Sequence, residues 1–219
     1  MKKIFRIEKQ IFCALFAVLM LGFNVQSQNL KENPELDKKV KAFLDDSRNS
    51  WHDMNVPSTD GQLLHDLIVK NGYKSAVEIG TSTGHSGVWM AWALSKTGGK
   101  LITIEIDEDR HRQALENFKK AGVSEYVDAR LANAHDLVPQ LKGPFDFVFS
   151  DADKDWYKNY FIEMAPKLKI GGCYTSHNVN KSRSRGWVSE YVEFLESRED
   201  FKTTFDERGG GMSVSYKIK

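Results

Sequence analysis

Asp151 and Lys154 stand three positions apart in SDADKDWY, residues 150–157, directly after the apolar run 145–149. A lysine beside a carboxylate-bound cation is disfavoured as an ammonium, which leaves an amine able to take a hydroxyl proton. A charged turn with an aspartate cap accounts for Asp153 and Asp155, whereas Asp151 with Lys154 reads as a reacting pair. A second set of chemical groups lies in VEIGTSTGHSG, residues 77–87, where an apolar run meets glycines and hydroxyls. A dinucleotide turn needs Gly-x-Gly-x-x-Gly, yet the glycine after Gly80 is Gly84, and the lysine of a phosphate loop is missing. A wide turn preceded by Glu78 suits a ligand with a positive charge and an amino acid end better than a pyrophosphate. S-adenosylmethionine is such a ligand. Glu105, ending a strand in ITIEID, stands about where an acid grips ribose hydroxyls. Taken singly, Glu78 also reads as a surface acid and Glu105 as part of a solvated charge run.

These residues require elements to hold them. Apolar runs at 76–79, 101–106, 145–149 and 172–175 read as buried strands. Helical patterns at 85–95, 108–121 and 156–168 follow the first three, and a weaker strand at 126–131 and a helix at 135–141 fit between them. Such alternation predicts an α/β fold with a parallel sheet covered on both faces, whose ligands bind outside the carboxyl ends of the strands. Residues 201–205 and 212–218 are strand-like around Gly209-Gly210-Gly211, which predicts an antiparallel pair at one edge. Upstream, Leu36, Val40, Phe43 and Leu44 mark an amphipathic helix within 29–50. Leu63, Leu64, Leu67 and Ile68 mark a second, which stops at Asn71-Gly72.

The chain has 219 residues, room for one well-buried domain. Lys2, Lys3, Arg6 and Lys9 precede the apolar run Ile11 to Phe23, and Val25-Gln26-Ser27 offers a small-residue exit. Residues 1–27 therefore read as a signal peptide or an N-terminal anchor, with 28–219 as the single domain. The chain is expected to be exported or membrane-anchored, touching a membrane only through that segment. Removing residues 1–27 takes away four basic residues and Glu8 and moves the formal net charge from +1 to −2, and no nucleic-acid footprint emerges. Cys13 falls in the leader, so the remainder keeps Cys173 alone and forms no internal disulfide.

MNVPSTDG (54–61), VEIGTSTGHSG, ITIEIDEDR (102–110), ANAHDLVPQL (132–141), FDFVFSDADKDWY (145–157), GGCYTSHNV (171–179) and GGGMSVSYK (209–217) occur in this order. Together they resemble the metal-dependent O-methyltransferases of the catechol and caffeoyl-CoA group. The resemblance implies a Rossmann-like class I methyltransferase: a mostly parallel seven-stranded sheet, an antiparallel C-terminal edge and helices on both faces. It implies that Met54, Asn55 and Val56 flank the methionine end of S-adenosylmethionine, with Glu78, Gly80 and Ser86 around its amino acid. Glu105 would take the ribose, Ala134 and His135 would lie near the adenine, and Asp151 would border both cofactor and metal. The substrate implied is a small hydroxylated, catechol-like molecule, and assembly as a homodimer is compatible with it. Lys154 is implied as the base, and Asp151 and Asn178 as ligands of a divalent metal.

At 177 the sequence departs from that pattern. The family carries Asp-Asn there, and this chain carries His177-Asn178. An imidazole weakens a site for magnesium and tilts it toward manganese, iron, nickel or zinc. Three outcomes stay open: His177 ligates a softer metal, serves as a base or substrate contact without metal, or impairs catalysis. Asp153 is a further carboxylate within reach of such a site, and Arg183, Arg185 and Trp187 fall where the family has substrate-facing loops. A binding protein that keeps the nucleoside pocket, and N-methylation on the same scaffold, remain as alternatives to O-methylation.

Overall fold

A computed structural model describes residues 30–49, 51 and 54–219. The expected leader, 1–27, lies outside the described residues. Among those described, no helix is long and apolar enough to cross a membrane.

Seven strands among the described residues form one sheet: β1 Ser75–Ile79, β2 Lys100–Glu105, β3 Val127–Leu131, β4 Phe145–Ser150, β5 Leu168–His177, β6 Phe201–Asp206 and β7 Met212–Lys217. Their order is β3-β2-β1-β4-β5-β7-β6, with β7 antiparallel to both β5 and β6 and every other pairing parallel. The long helices are α1 Pro34–Asp46, α2 Ser58–Asn71, α3 His85–Thr97, α4 Glu108–Ala121, α5 Ala134–Gln140, α6 Tyr157–Met164 and α7 Trp187–Glu196. The expected alternation and the antiparallel edge are both present.

Alternation of side chains along each strand divides the core in two. Val77, Ile79, Val148 and Tyr174 pack with Tyr157, Phe161 and Tyr191 of α6 and α7. Ala76, Phe147, Phe149 and Cys173 face the other way, against Leu64 and Ile68 of α2 and Met90 and Leu94 of α3. Parity then fixes the end of β5. Ser176 Oγ meets Tyr191 Oη on the α7 side at 2.8 Å, and the next residue, His177, turns to the α2 side.

Two boundaries differ from the sequence expectation. The helix expected over 156–168 ends at Met164, because Pro166 has no amide for a continuing α-helix, and a 3-10 turn, Ala165–Lys167, follows. Strand β5 begins at Leu168, earlier than 172: Leu168 already pairs with Phe145, and the exposed Lys169-Ile170-Gly171 falls in an irregularity of the ladder before pairing resumes at Cys173 with Phe147.

The sheet order reverses between β1 and β4, so their following segments leave in opposite directions and open a crevice at the carboxyl ends. Gly80 N–H donates to Ile104 O at 3.0 Å and Asp151 N–H to Ile79 O at 2.9 Å, which extends the ladder one residue into each loop. Gly80 has φ +97°, and a Cβ there would stand 2.8 Å from Ala152 Cβ and 3.1 Å from its nitrogen. Gly80→Ala is therefore expected to cost about 1–3 kcal/mol, read as a lower urea midpoint, with an unchanged midpoint counting against a tight crossing.

Glu78 is fully buried on β1, its carboxyl receiving Ser86 Oγ and Thr103 Oγ1, each at 2.5 Å. Burial pushes it up to about 8, against the pull of the two hydroxyls. Between its ordinary 4.5 and about 8 the folded chain keeps a proton that the unfolded chain has lost, so this group makes stability fall as pH rises through that window. Glu78→Gln is expected to remove that part of the slope in urea midpoints taken from acid to mildly alkaline pH; parallel wild-type and variant curves would contradict it.

Candidate functional site

The carboxyl ends of β1, β2, β4 and β5 frame a cavity of about 610 Å³. Register sets who meets there. Ser150 pairs with both Ile79 and Ser176, so the next residues, Gly80, Asp151 and His177, come out side by side. Among the residues singled out from sequence, Met54, Asn55, Gly80, Ser86, Glu105, Ala134, His135, Asp151, Lys154, His177 and Asn178 line the cavity. Glu78 and Val56 stand behind it. Glu78 holds the Ser86 hydroxyl from below, and Val56 packs in the core with its carbonyl 2.8 Å from His85 Nδ1.

Asp151 is the hub. Its Oδ1 accepts from Lys154 Nζ at 2.6 Å, and its Oδ2 faces His177 Nδ1 at 3.1 Å. Burial alone would raise this carboxyl, but His177 and Lys154 together hold it below its ordinary value. Lys154 Nζ also donates to Tyr157 Oη at 2.8 Å, whose own proton goes to the carbonyl of His177 at 3.0 Å. Burial, reinforced by Asp151, pushes the Tyr157 phenol well up, so it stays a neutral donor.

The other nitrogen of His177, Nε2, lies 2.8 Å from Oδ2 of Asp60, a residue in the first turn of α2. That Asp60 oxygen also accepts Gly210 N–H at 2.8 Å, from the turn before β7. Both aspartate and imidazole are almost fully buried. Burial would lower the ring's pKa; its hydrogen bonds to Asp151 and Asp60, and their negative charges, outweigh burial and raise it to about 9.

The nucleoside side is built differently. Glu105 turns its carboxylate onto backbone, accepting Ser82 N–H at 2.7 Å and the amides of Ile106 and Asp107 at 3.0 Å each. It thereby ties the β1 turn to the β2 turn. His135 opens α5, its amide capped by Asn133 at 2.9 Å, and its ring stacks on Trp156 with centroids 3.7 Å apart. Its Nε2 meets Asp153 at 2.7 Å, so Asp153 serves His135 and not the Asp151 cluster. Among the described residues, the non-glycine residues with positive φ, Met54, Ser82, Asp153 and Asn178, all line this one cavity. Such backbone conformations persist where surrounding contacts over-determine them, commonly at binding sites.

The divalent metal implied by the resemblance does not fit this donor set. A histidine ligates through a lone pair, and both nitrogens of His177 are directed at carboxylate oxygens. Asp151 has each oxygen engaged by a cationic side chain or ring. Among the described residues, no group of three His, Cys, Asp or Glu side chains is arranged to hold a metal ion. Of the residues expected as ligands, Asp151 and His177 are instead engaged with Lys154 and Asp60, and Asn178 lines the cavity beside them.

Sequence reasoning did not single out Asp60, Gly210 or Tyr157. An acid in a helix's first turn is ordinarily explained by the dipole, and Asp60 lies 117 positions from its histidine. A signal was nevertheless available, since the replacement of Asp by His at 177 calls for a new anionic partner. Trp187 packs edge-on against Tyr157 at 5.4 Å, as a wall of the core.

A glycine turn and two acids at adjacent parallel strand ends, with a lysine–aspartate pair across the crevice, agree with what comparison with known proteins finds. The family described as O-methyltransferase matches residues 27–191. Caffeoyl-CoA O-methyltransferase 1 of Eucalyptus globulus is 34% identical over 144 residues, 64% of this chain and 57% of that protein. Catechol O-methyltransferase of Niastella koreensis is 40% identical over 130 residues, 58% of each chain. The match thus spans somewhat over half the length of these relatives. The solved O-methyltransferase TomG of Streptomyces achromogenes, in complex with SAM and involved in tomaymycin synthesis, superimposes with a TM-score of 0.69 at 26% identity, covering 94% of this chain and 95% of its own. With most of its length matched by the family, the chain belongs to the O-methyltransferase family.

Proposed function

We propose that this protein is an S-adenosylmethionine-dependent O-methyltransferase that methylates a hydroxyl of a small, catechol-like molecule. The observation that carries the reading is Lys154 Nζ, on the cavity wall and 2.6 Å from Asp151 Oδ1. Lys154 rests paired with Asp151; after it releases its proton to solvent, its amine takes the acceptor's hydroxyl proton at Nζ, and the ammonium that results again lies against Asp151 and the Tyr157 oxygen. The acceptor oxygen then forms a bond to the donor's methyl carbon as the carbon–sulfur bond breaks, leaving a methyl ether and a thioether. Alignment within the crevice supplies most of the acceleration.

The donor's amino acid end is read toward Asn55, Gly80 and Ser86, its ribose toward Glu105, and its adenine toward Ala134 and His135, with Ile106 as an apolar neighbour. The relatives named for caffeoyl-CoA and catechol methylation support a hydroxylated acceptor. Residues 1–27 are proposed to export or anchor the chain, which then draws on a donor supplied at that location. A second reading, a donor-binding protein without turnover, is favoured by the unusual His177.

Calorimetry with S-adenosylmethionine and S-adenosylhomocysteine is expected to show binding, and a labelled-methyl assay over phenols and catechols is expected to show transfer. Lys154→Met is expected to lower kcat by about 10²- to 10⁴-fold while leaving donor affinity nearly unchanged. Binding without transfer over the whole panel favours the second reading, and absence of binding overturns both.

A further inference from the structure

Asp60, His177 and Asp151 are contributed by α2, the end of β5 and the end of β4, and they form a single hydrogen-bonded line through the back of the cavity. A neutral imidazole has one N–H and one lone pair. Were His177 neutral, its lone pair would confront a carboxylate oxygen at 2.8 or 3.1 Å, with both groups buried. Two carboxylates flanking one ring are satisfied together only when both nitrogens carry protons. The surroundings fix this arrangement further. Gly210 donates its amide to the same Asp60 oxygen, and a Cβ on Gly210 would collide with His177 Nε2. Tyr157 holds the carbonyl of His177 from the other side.

We propose that the Asp60–His177–Asp151 chain, with its ring as an imidazolium, takes the place of a divalent cation in this site, so that methyl transfer here needs no metal. The charge balance agrees. An imidazolium at 177 carries one positive charge, the same net charge as a divalent ion together with a carboxylate at that position. A preorganised cation held behind Asp151 keeps that carboxylate fixed and requires no reorganisation during the step. His177 is therefore a positioning group: it orients Asp151, which in turn holds the Lys154 ammonium. No ion is then needed to bridge two neighbouring oxygens, and one hydroxyl suffices in the acceptor.

The inference rests on the methyltransferase reading, but its test does not. Full-length protein labelled with 15N-histidine is examined by 1H–15N correlation near neutral pH, the ring being assigned by its loss in His177→Gln. Mn2+ is titrated into the same wild-type sample by electron paramagnetic resonance. Two protonated ring nitrogens and no stoichiometric Mn2+ binding are expected. His177→Asp, which restores a carboxylate, is expected to gain Mn2+ affinity by about ten-fold or more. A ring with one unprotonated nitrogen overturns the proposal, as does wild-type Mn2+ binding that disappears in Asp151→Asn. S-adenosylhomocysteine titrated into the same preparation reports separately on the donor pocket, so loss of the enzyme reading and loss of the metal replacement give different results.

Discussion

Hydrogen-bonded register across β1, β4 and β5 decides which side chains can react. Ser150 faces Ile79 on one neighbour and Ser176 on the other, so three chain segments leave the sheet at one level. Moving any of these strands by one residue would turn the exit side chain to the opposite face. Asp151 would then point away from His177, and His177 away from Asp60. The apolar alternation that fills the two halves of the core is what prevents such a slip, because Val148 and Phe149 pack in different clusters. The chemistry at the crevice thus inherits its precision from burial some residues away.

Much of this was legible because buried parallel strands are short apolar runs and the helices between them carry a different period. The glycine turn and the Asp151–Lys154 pair were legible for the same reason: each follows directly from a strand end, as does Glu105, whose carboxylate was expected toward a ribose and accepts backbone amides. Glu78 is a partial case. Its position was read as a ligand contact, but parity on β1 puts the side chain beneath α3, where it braces Ser86. Asp60 was not legible, since nothing local distinguishes it from a helix-dipole acid, and only the closed sheet brings it to His177. Strand β5 was underestimated because an exposed lysine, isoleucine and glycine break its hydrophobic pattern at an irregularity in the ladder, and pairing resumes beyond it at Cys173.

Several polar groups around the crevice are spent on holding loops. Glu105 uses both carboxylate oxygens on backbone amides of the first two strand-end turns. His135 is clamped between Trp156 and Asp153. Together with the four positive-φ residues that line the cavity, these contacts pre-form the walls before any ligand arrives. Preorganisation of this kind lowers the ordering cost of binding.

An imidazole at 177 makes demands beyond its own position, because a buried ring flanked by a single carboxylate would leave a polar nitrogen unpaired. Leaving such a group unsatisfied costs about 1–3 kcal/mol. Asp60 removes that cost, and it does so with an oxygen already anchored by the Gly210 amide. Three features far apart in the sequence, an acid in α2, a histidine ending β5 and a glycine before β7, therefore act as one unit. Removing one of them leaves the other two with buried, unmatched charge or a collision, so acid, ring and glycine can only be varied together.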